Sequence, residues 1–175
     1  MKIYVASSWR NPWQPGVVNL LRKLGCEVYD FRNPHPEEKG FSWGDIASSW
    51  RDWSPKEYRE ALHHPIAEAG FKSDMDALKW CDACIMVLPC GNSANLECGW
   101  ACGNGKRTAA LFPHNIAISP IGGHSVLTTR PCAACGDIDG CHLPGKLNRI
   151  EPELMTKMCD DILLSAGDLI QWVSP

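Results

Sequence analysis

The chain has 175 residues and a formal net charge of −3, with 45% apolar and 21% charged residues. This length suits one domain with its own core, and the near-average composition argues against a disordered or fibrous chain. The basic excess that is usual for nucleic-acid-binding proteins is missing, so we expect no nucleic-acid partner. Residues 2–6 are too short an apolar run for a signal peptide, and no run approaches the length of a membrane span. We therefore expect a cytoplasmic protein without a membrane partner.

Strands and helices alternate from the start of the chain. A strand is predicted at 3–6, a helix at 15–24 that Gly25 ends, and a second strand at 26–31. Strand–helix–strand order implies a right-handed crossover and a parallel sheet. Residues 33–54 lack periodicity and are rich in Pro, Gly and Trp, which is typical of a long functional loop.

The rest of the chain repeats this alternation. The further predicted elements are helices at 55–63 and 66–80, a strand at 82–89, a helix at 94–102, a strand at 107–112, an irregular stretch at 113–148, a helix at 152–158, a strand at 162–165 and a helix at 166–173. We predict one α/β domain over 1–175. It would be a doubly wound, Rossmann-like or flavodoxin-like fold with a mostly parallel sheet and two irregular insertions. Ligands in such folds bind at the carboxyl ends of the strands.

Polar residues collect where the predicted strands end, and they are candidates for substrate binding. They are Ser7, Ser8, Trp9 and Arg10 after the first strand, Asp30 and Arg32 after the second, and Asn92 and Ser93 after the third. Ser93 suits the N-cap of the next helix, whose terminal amides could then hold an anion. Arg10 could hold a phosphate, or it could be a surface arginine in a polar loop.

Glu97 is the only charged residue in the predicted helix 94–102, among small and apolar neighbours. It falls one position beyond a capping-box glutamate, so capping explains it poorly. Either a partner group holds this carboxylate, or it has a function, or it is an exposed helix glutamate. Asp74 and Asp76 are two residues apart on a helix and cannot face the same way. One of them could be functional and the other solvated, or either could simply lie on a solvated helix face.

Three segments together resemble the nucleoside 2-deoxyribosyltransferase superfamily, which includes deoxyribosyltransferases and nucleotide N-glycoside hydrolases. They are Tyr4-Val5-Ala6-Ser7-Ser8-Trp9, then Asp74-Met75-Asp76-Ala77-Leu78 with Cys81-Asp82, and Ala94-Asn95-Leu96-Glu97-Cys98-Gly99-Trp100 leading to Gly105-Lys106. The resemblance covers residues 2–112 and resumes at 151–173. It implies an enzyme of nucleotide metabolism, a transferase or hydrolase. Such an enzyme would cleave or transfer at the N-glycosidic bond of a nucleoside or nucleoside 5′-monophosphate.

The resemblance also implies roles for individual residues. Glu97 would be the nucleophile that attacks C1′ and forms a covalent glycosyl-enzyme, Asp74 would assist protonation of the departing base, and Tyr4 would orient the glutamate. A carboxylate on one face of an oxocarbenium-like centre and a proton donor for the base suit this chemistry. A free base or water would then accept the sugar. The resemblance to the nucleotide-hydrolase branch implies that Ser8, Arg10 and Ser93 would hold a 5′-phosphate.

Other candidate residues have two interpretations each. Asp30 and Arg32 could hydrogen-bond the edge of a base or could pair with one another. Trp43, in the first insertion with Trp50 and Trp53, could stack on the base, but we expect at least two of the three to pack the loop. The resemblance implies a homo-oligomer in which neighbouring subunits complete each other's pockets.

The chain has ten cysteines. The second insertion contains C-x2-C followed by C-H, a spacing that suits a structural zinc ion held by Cys132, Cys135, Cys141 and His142 or His124. Free thiols in a loop are the alternative, and the carboxylate chemistry needs no cofactor. Six other cysteines lie in apolar patterns and are predicted to pack in the core: Cys26, Cys81, Cys84, Cys98, Cys102 and Cys159.

Two functions of other classes stay open. One is a catalytically silent nucleotide-binding sensor on the same fold, because a fold does not fix a function. The other is a zinc-stabilised interaction module that uses residues 113–148.

Overall fold

The computed structural model of the protein describes residues 1–35, 38–113 and 154–174. Within them five strands form one sheet in the order β2-β1-β3-β4-β5. The strands are β1 Lys2–Ala6, β2 Glu27–Asp30, β3 Ala83–Val87, β4 Arg107–Leu111 and β5 Asp161–Leu163. The pairs β1–β3, β3–β4 and β4–β5 are parallel. The predicted doubly wound α/β fold with a parallel sheet is confirmed.

Five α-helices lie between and after these strands along the described residues. They are α1 Gln14–Lys23, α2 Pro55–Ala61, α3 Pro65–Trp80, α4 Asn92–Gly103 and α5 Ala166–Val173. The predicted helix at 152–158 is instead a 3-10 helix at Leu154–Met158, since so short a segment forms few α-helical hydrogen bonds. The predicted strand at 162–165 ends earlier, because Ser165 is the N-cap of α5 and its side chain accepts from the Asp168 amide.

The chain divides into two compact units. The sheet unit comprises Met1–Val28 and Cys81–Pro175, and the Trp-rich unit comprises Tyr29–Trp80. No helix of the described residues is long and apolar enough to cross a membrane.

One face of the sheet unit carries its main hydrophobic core. Alternate residues of the central strands, such as Ile3, Val5 and Ile85, point to this face and pack against α1 and α5. The apolar side of α1 supplies Val17, Val18 and Leu21. Gly25 ends this helical segment with a φ of +81°, as its position in the sequence predicts. The other face of the sheet packs against α4.

In the Trp-rich unit, short turns and aromatic contacts organise the predicted insertion at 33–54. The Gly40 amide donates to the Arg32 carbonyl at 2.8 Å. A Cβ at Gly40 would lie 1.7 Å from the Phe31 carbonyl oxygen, so only glycine fits this close approach. Trp43 lies edge-to-face against Phe41, Trp53 and Tyr58, which agrees with the packing role expected for at least two of the tryptophans.

Candidate active site

The sheet order places a topological switch point between β1 and β3. After β1 the chain leads through α1 to β2 on one side, and after β3 it leads through α4 to β4 on the other. The crevice outside the carboxyl ends of two such strands is the usual ligand site of a doubly wound sheet. Residues 7–13 follow β1 and residues 88–91 follow β3, and we call these two segments the walls of the crevice.

Hydrogen bonds join the two walls. The Ser7 hydroxyl donates to the Val87 carbonyl at 2.9 Å. The Asn11 side-chain amide donates to the Val87 and Pro89 carbonyls, both at 3.0 Å, and its oxygen accepts from the Trp13 amide at 2.8 Å. Asn11 is only 1% exposed, and the sequence interpretation missed it because its partners lie more than seventy residues away. Ser7, a predicted binding residue, is itself buried and engaged within the protein.

The first wall presents a tight turn. The Ser8 hydroxyl accepts from the Arg10 amide at 3.2 Å, and the Ser8 carbonyl accepts from the Asn11 amide at 3.0 Å. Trp9 is 46% exposed and Arg10 is also exposed. The three predicted binding residues Ser8, Trp9 and Arg10 therefore share one turn after β1.

The second wall leads into α4, whose start differs from the sequence interpretation. Its N-cap is Gly91 in extended conformation, so the prediction that Ser93 caps the helix is wrong. The Gly91 carbonyl accepts from both the backbone amide of Asn95 (3.4 Å) and its side-chain amide (3.2 Å), which fixes the earlier start. Asn92 and Ser93 are exposed in the first turn, and no side chain caps that turn. Its amides form the positive end of the helix dipole.

Glu97 lies in the second turn of α4 and is half-buried rather than exposed. It is the only charged residue of this helix. The buried side of α4 consists of Ala94, Cys98 and Ala101, which are spaced as one helix face. A carboxylate at the margin of such a face loses part of its hydration, which sets Glu97 apart from an ordinary solvated glutamate.

Tyr4, the predicted orienting residue, is fully buried in β1. It pairs in register with Cys84 of β3. Its neighbours Ile3 and Val5 point to the face covered by α1 and α5, so Tyr4 points to the opposite face, where α4 packs. Tyr4 and Glu97 thus belong to the same side of the sheet.

The two aspartates of α3 have different surroundings within the Trp-rich unit. The Tyr29 hydroxyl donates to Asp74 Oδ1 at 2.9 Å and also lies 2.9 Å from the Ser73 hydroxyl. Asp74 is half-buried, whereas Asp76 is exposed and pairs with Lys72. The hydrogen bond from Lys72 lowers the pKa of Asp76. The interpretation that one aspartate is solvated is met by Asp76.

Asp30 and Arg32 form a turn after β2 in the Trp-rich unit. The buried carboxylate of Asp30 accepts from the Arg32 backbone amide at 3.1 Å and from the Asn33 side-chain amide at 3.3 Å. Burial lowers the pKa of Arg32, while the charge of Asp30 opposes this shift. Asp30 therefore holds its own turn, a role that neither interpretation foresaw, and its charge also acts on Arg32, as the pairing interpretation expects.

The predicted metal ligands of the second insertion, Cys132, Cys135, Cys141 and His142, lie outside the described residues, as does His124. Among the described residues, Cys98, Cys102 and Cys159 form a group of potential metal ligands.

The fold and this crevice define an α/β protein with a candidate ligand site at the β1–β3 switch point. No protein-family model matches the chain, and no curated protein matches it. It is similar to the structure of a conserved protein from Enterococcus faecalis V583, with 15% identity, 98% coverage of this chain, 95% of that one and a TM-score of 0.50. This likeness concerns the fold. The chain is also similar to a 2-deoxyribosyltransferase from Bacillus psychrosaccharolyticus, with 24% identity and a TM-score of 0.42. The match covers 68% of this chain and 77% of that one.

Proposed function

We propose that the protein cleaves or transfers at the N-glycosidic bond of a nucleoside or nucleoside 5′-monophosphate, with Glu97 as the nucleophile. The observation that carries this proposal is the half-buried carboxylate of Glu97 on the helix that begins at the switch point of the sheet. The motifs that resemble nucleoside 2-deoxyribosyltransferases support it independently, because they bring Tyr4 and Asp74 together with Glu97 in one sequence pattern.

The chemistry proceeds in two displacements. A carboxylate oxygen of Glu97 bonds to C1′ as the bond from C1′ to the base nitrogen breaks, and the electron pair leaves with the base. The base takes up a proton, a step that the resemblance assigns to Asp74. A second base, or water, then attacks C1′ of the glycosyl ester and frees the Glu97 carboxylate.

A panel of nucleosides and 5′-monophosphates tests this function directly. Free base released from at least one compound, measured by chromatography, is the expected result. Adding a different free base separates transfer, which yields a new nucleoside, from hydrolysis, which yields free sugar or sugar phosphate. Tight binding of a nucleotide without any base release would instead favour the silent sensor.

We further propose that a 5′-monophosphate is preferred over its nucleoside. Arg10 is exposed on the turn that Ser8 closes, and the uncapped first-turn amides of α4 begin on the opposite wall. Both features attract a phosphate. A phosphate held there would convert remote binding energy into orientation of C1′ toward Glu97.

Arg10→Ala should remove about 1.5–3 kcal/mol of interaction free energy with the phosphate. We therefore expect kcat/KM for the monophosphate to fall roughly 10- to 150-fold and kcat/KM for the nucleoside to change little. Steady-state kinetics on both substrates measures this difference. Lys23→Ala, which removes another exposed cation of the sheet unit, is the matched control. A wild-type preference for the nucleoside, together with an unaffected Arg10→Ala variant, would contradict the phosphate site.

We also propose a homo-oligomer, as the resemblance implies. Leu96, directly before Glu97, is 75% exposed, and a neighbouring subunit would remove such an apolar side chain from water. Light scattering should give a mass of at least two chains. A fully active monomer would rule the proposal out.

A further inference from the structure

Three cysteines come together in the sheet unit, two from one helix and the third from a distant part of the chain. Cys98 and Cys102 are four residues apart on α4 and so share a helix face, and Cys159 lies on the segment that leads into β5. Their sulfur atoms all lie within 4.8 Å of one another. Cys98 is 3% exposed and the other two are half-buried. Core packing, the role predicted for each of them, does not by itself explain why they meet.

We propose that Cys98, Cys102 and Cys159 bind a thiophilic metal ion of the zinc class. Sulfur ligands lie about 2.3 Å from zinc, which places two ligands of a tetrahedral site about 3.8 Å apart. Cys98 Sγ and Cys159 Sγ are 3.6 Å apart, close to that spacing without rearrangement. The thiol of Cys84 on β3 is also buried next to Cys98, but it lies outside the group of three whose ligand atoms are all within 4.8 Å of one another.

Polar groups around the cluster hold its ligands in place. Asp160 follows Cys159, and its carboxylate accepts from the Thr108 amide at 2.7 Å and hydroxyl at 3.1 Å. The Thr108 hydroxyl also lies 3.5 Å from the Cys102 sulfur, which donates to it. One threonine of β4 therefore positions the segments that carry two of the three thiols. Supporting hydrogen bonds of this kind are characteristic of metal sites.

Of the three thiols, that of Cys102 borders a cleft through which an ion can enter. Cys102, Thr108, Met158 and Asp160 line this cleft, which is open to solvent.

The location indicates a structural metal. Arg107 and Thr108 begin β4, so the cluster lies toward the amino-terminal edge of the sheet, whereas the switch-point crevice lies at the carboxyl edge. An ion held there would fasten the segment before β5 to α4. This proposal does not depend on the proposed glycosidic chemistry.

The test uses purified, tag-free full-length protein, stripped with a chelator and titrated with Zn²⁺ or Cd²⁺. We expect one equivalent to bind, a sulfur-to-cadmium charge-transfer absorption in the ultraviolet, and a higher Tm in the loaded protein. Cys102→Ser and Cys159→Ser should each weaken binding on the order of 100-fold or more. The melting transition of each metal-free variant shows whether it is folded.

Two control variants make the result specific. Cys26→Ser removes another half-buried thiol of the sheet unit and should leave binding unchanged. The double variant Cys132→Ser/Cys135→Ser should also keep one equivalent of metal. Loss of the ion in that double variant with retention in Cys102→Ser would overturn the proposal. So would a wild-type protein that binds no metal, or one whose Cys98 and Cys159 form a disulfide in place of the metal site.

Discussion

Glu97→Gln is expected to lower the rate of base release on the order of 10³-fold or more while leaving the protein folded. The amide has nearly the shape of the carboxylate and a similar helix propensity, but it lacks the negative charge and the nucleophilic oxygen. Initial rates on the best substrate of the panel measure the loss. Mass spectrometry of the acid-quenched wild-type reaction should show a chain heavier by one glycosyl group, and the variant should not.

Glu68→Gln is the matched control, because Glu68 is an exposed glutamate on α3 with no assigned role. It should retain wild-type activity. Wild-type turnover by Glu97→Gln would refute the nucleophile assignment. A loss of activity accompanied by a large fall in Tm would instead mean that the half-buried carboxylate stabilises the fold.

Asp74→Asn is expected to slow base release by roughly 10²- to 10⁴-fold, the usual range for loss of general acid–base assistance. Asparagine retains an oxygen that can accept the hydrogen bond from Tyr29, so the local packing should survive. The defect should be largest for substrates whose base leaves poorly. It should shrink for a nucleoside with a good leaving group, because such a base needs less help from a proton.

The same helix supplies the control for this second variant. Asp76→Asn changes a residue two positions along that is exposed and pairs with Lys72, and it should cost little activity. If both substitutions lowered the rate of base release equally, the assignment of Asp74 as the residue that assists the base would be refuted. They would point instead to a general charge effect of α3.

The periodic parts of the fold can be predicted from the sequence, because each pattern reports on neighbours along the chain. The helix from 15 with its terminating Gly25 and the apolar strand after Asp82 are examples. The first residue of α4 cannot be predicted in this way. Serine has a stronger capping preference than glycine, yet the interaction of Asn95 with the Gly91 carbonyl moves the start to Asn92.

The candidate site is only partly visible in the sequence for a related reason. Glu97 stands out because it is the only charged residue in its helix. Ser8 and Arg10 stand out because they directly follow a predicted strand. The Tyr29–Asp74 hydrogen bond and the meeting of Cys159 with Cys98 join residues 45 and 61 positions apart. Such contacts depend on how the elements pack, and no local pattern encodes them.

The side-chain amide of Asn11 limits how the loop after β1 can be redesigned. It donates from that loop to the carbonyls of Val87 and Pro89, so a loop transplanted from another protein would need an equivalent asparagine to keep this anchor. Trp9 and Arg10, exposed on the same loop, are the positions to randomise. A library that varies these two residues and keeps Asn11 constant would change the side chains exposed at the crevice while keeping the hydrogen bonds that hold the loop.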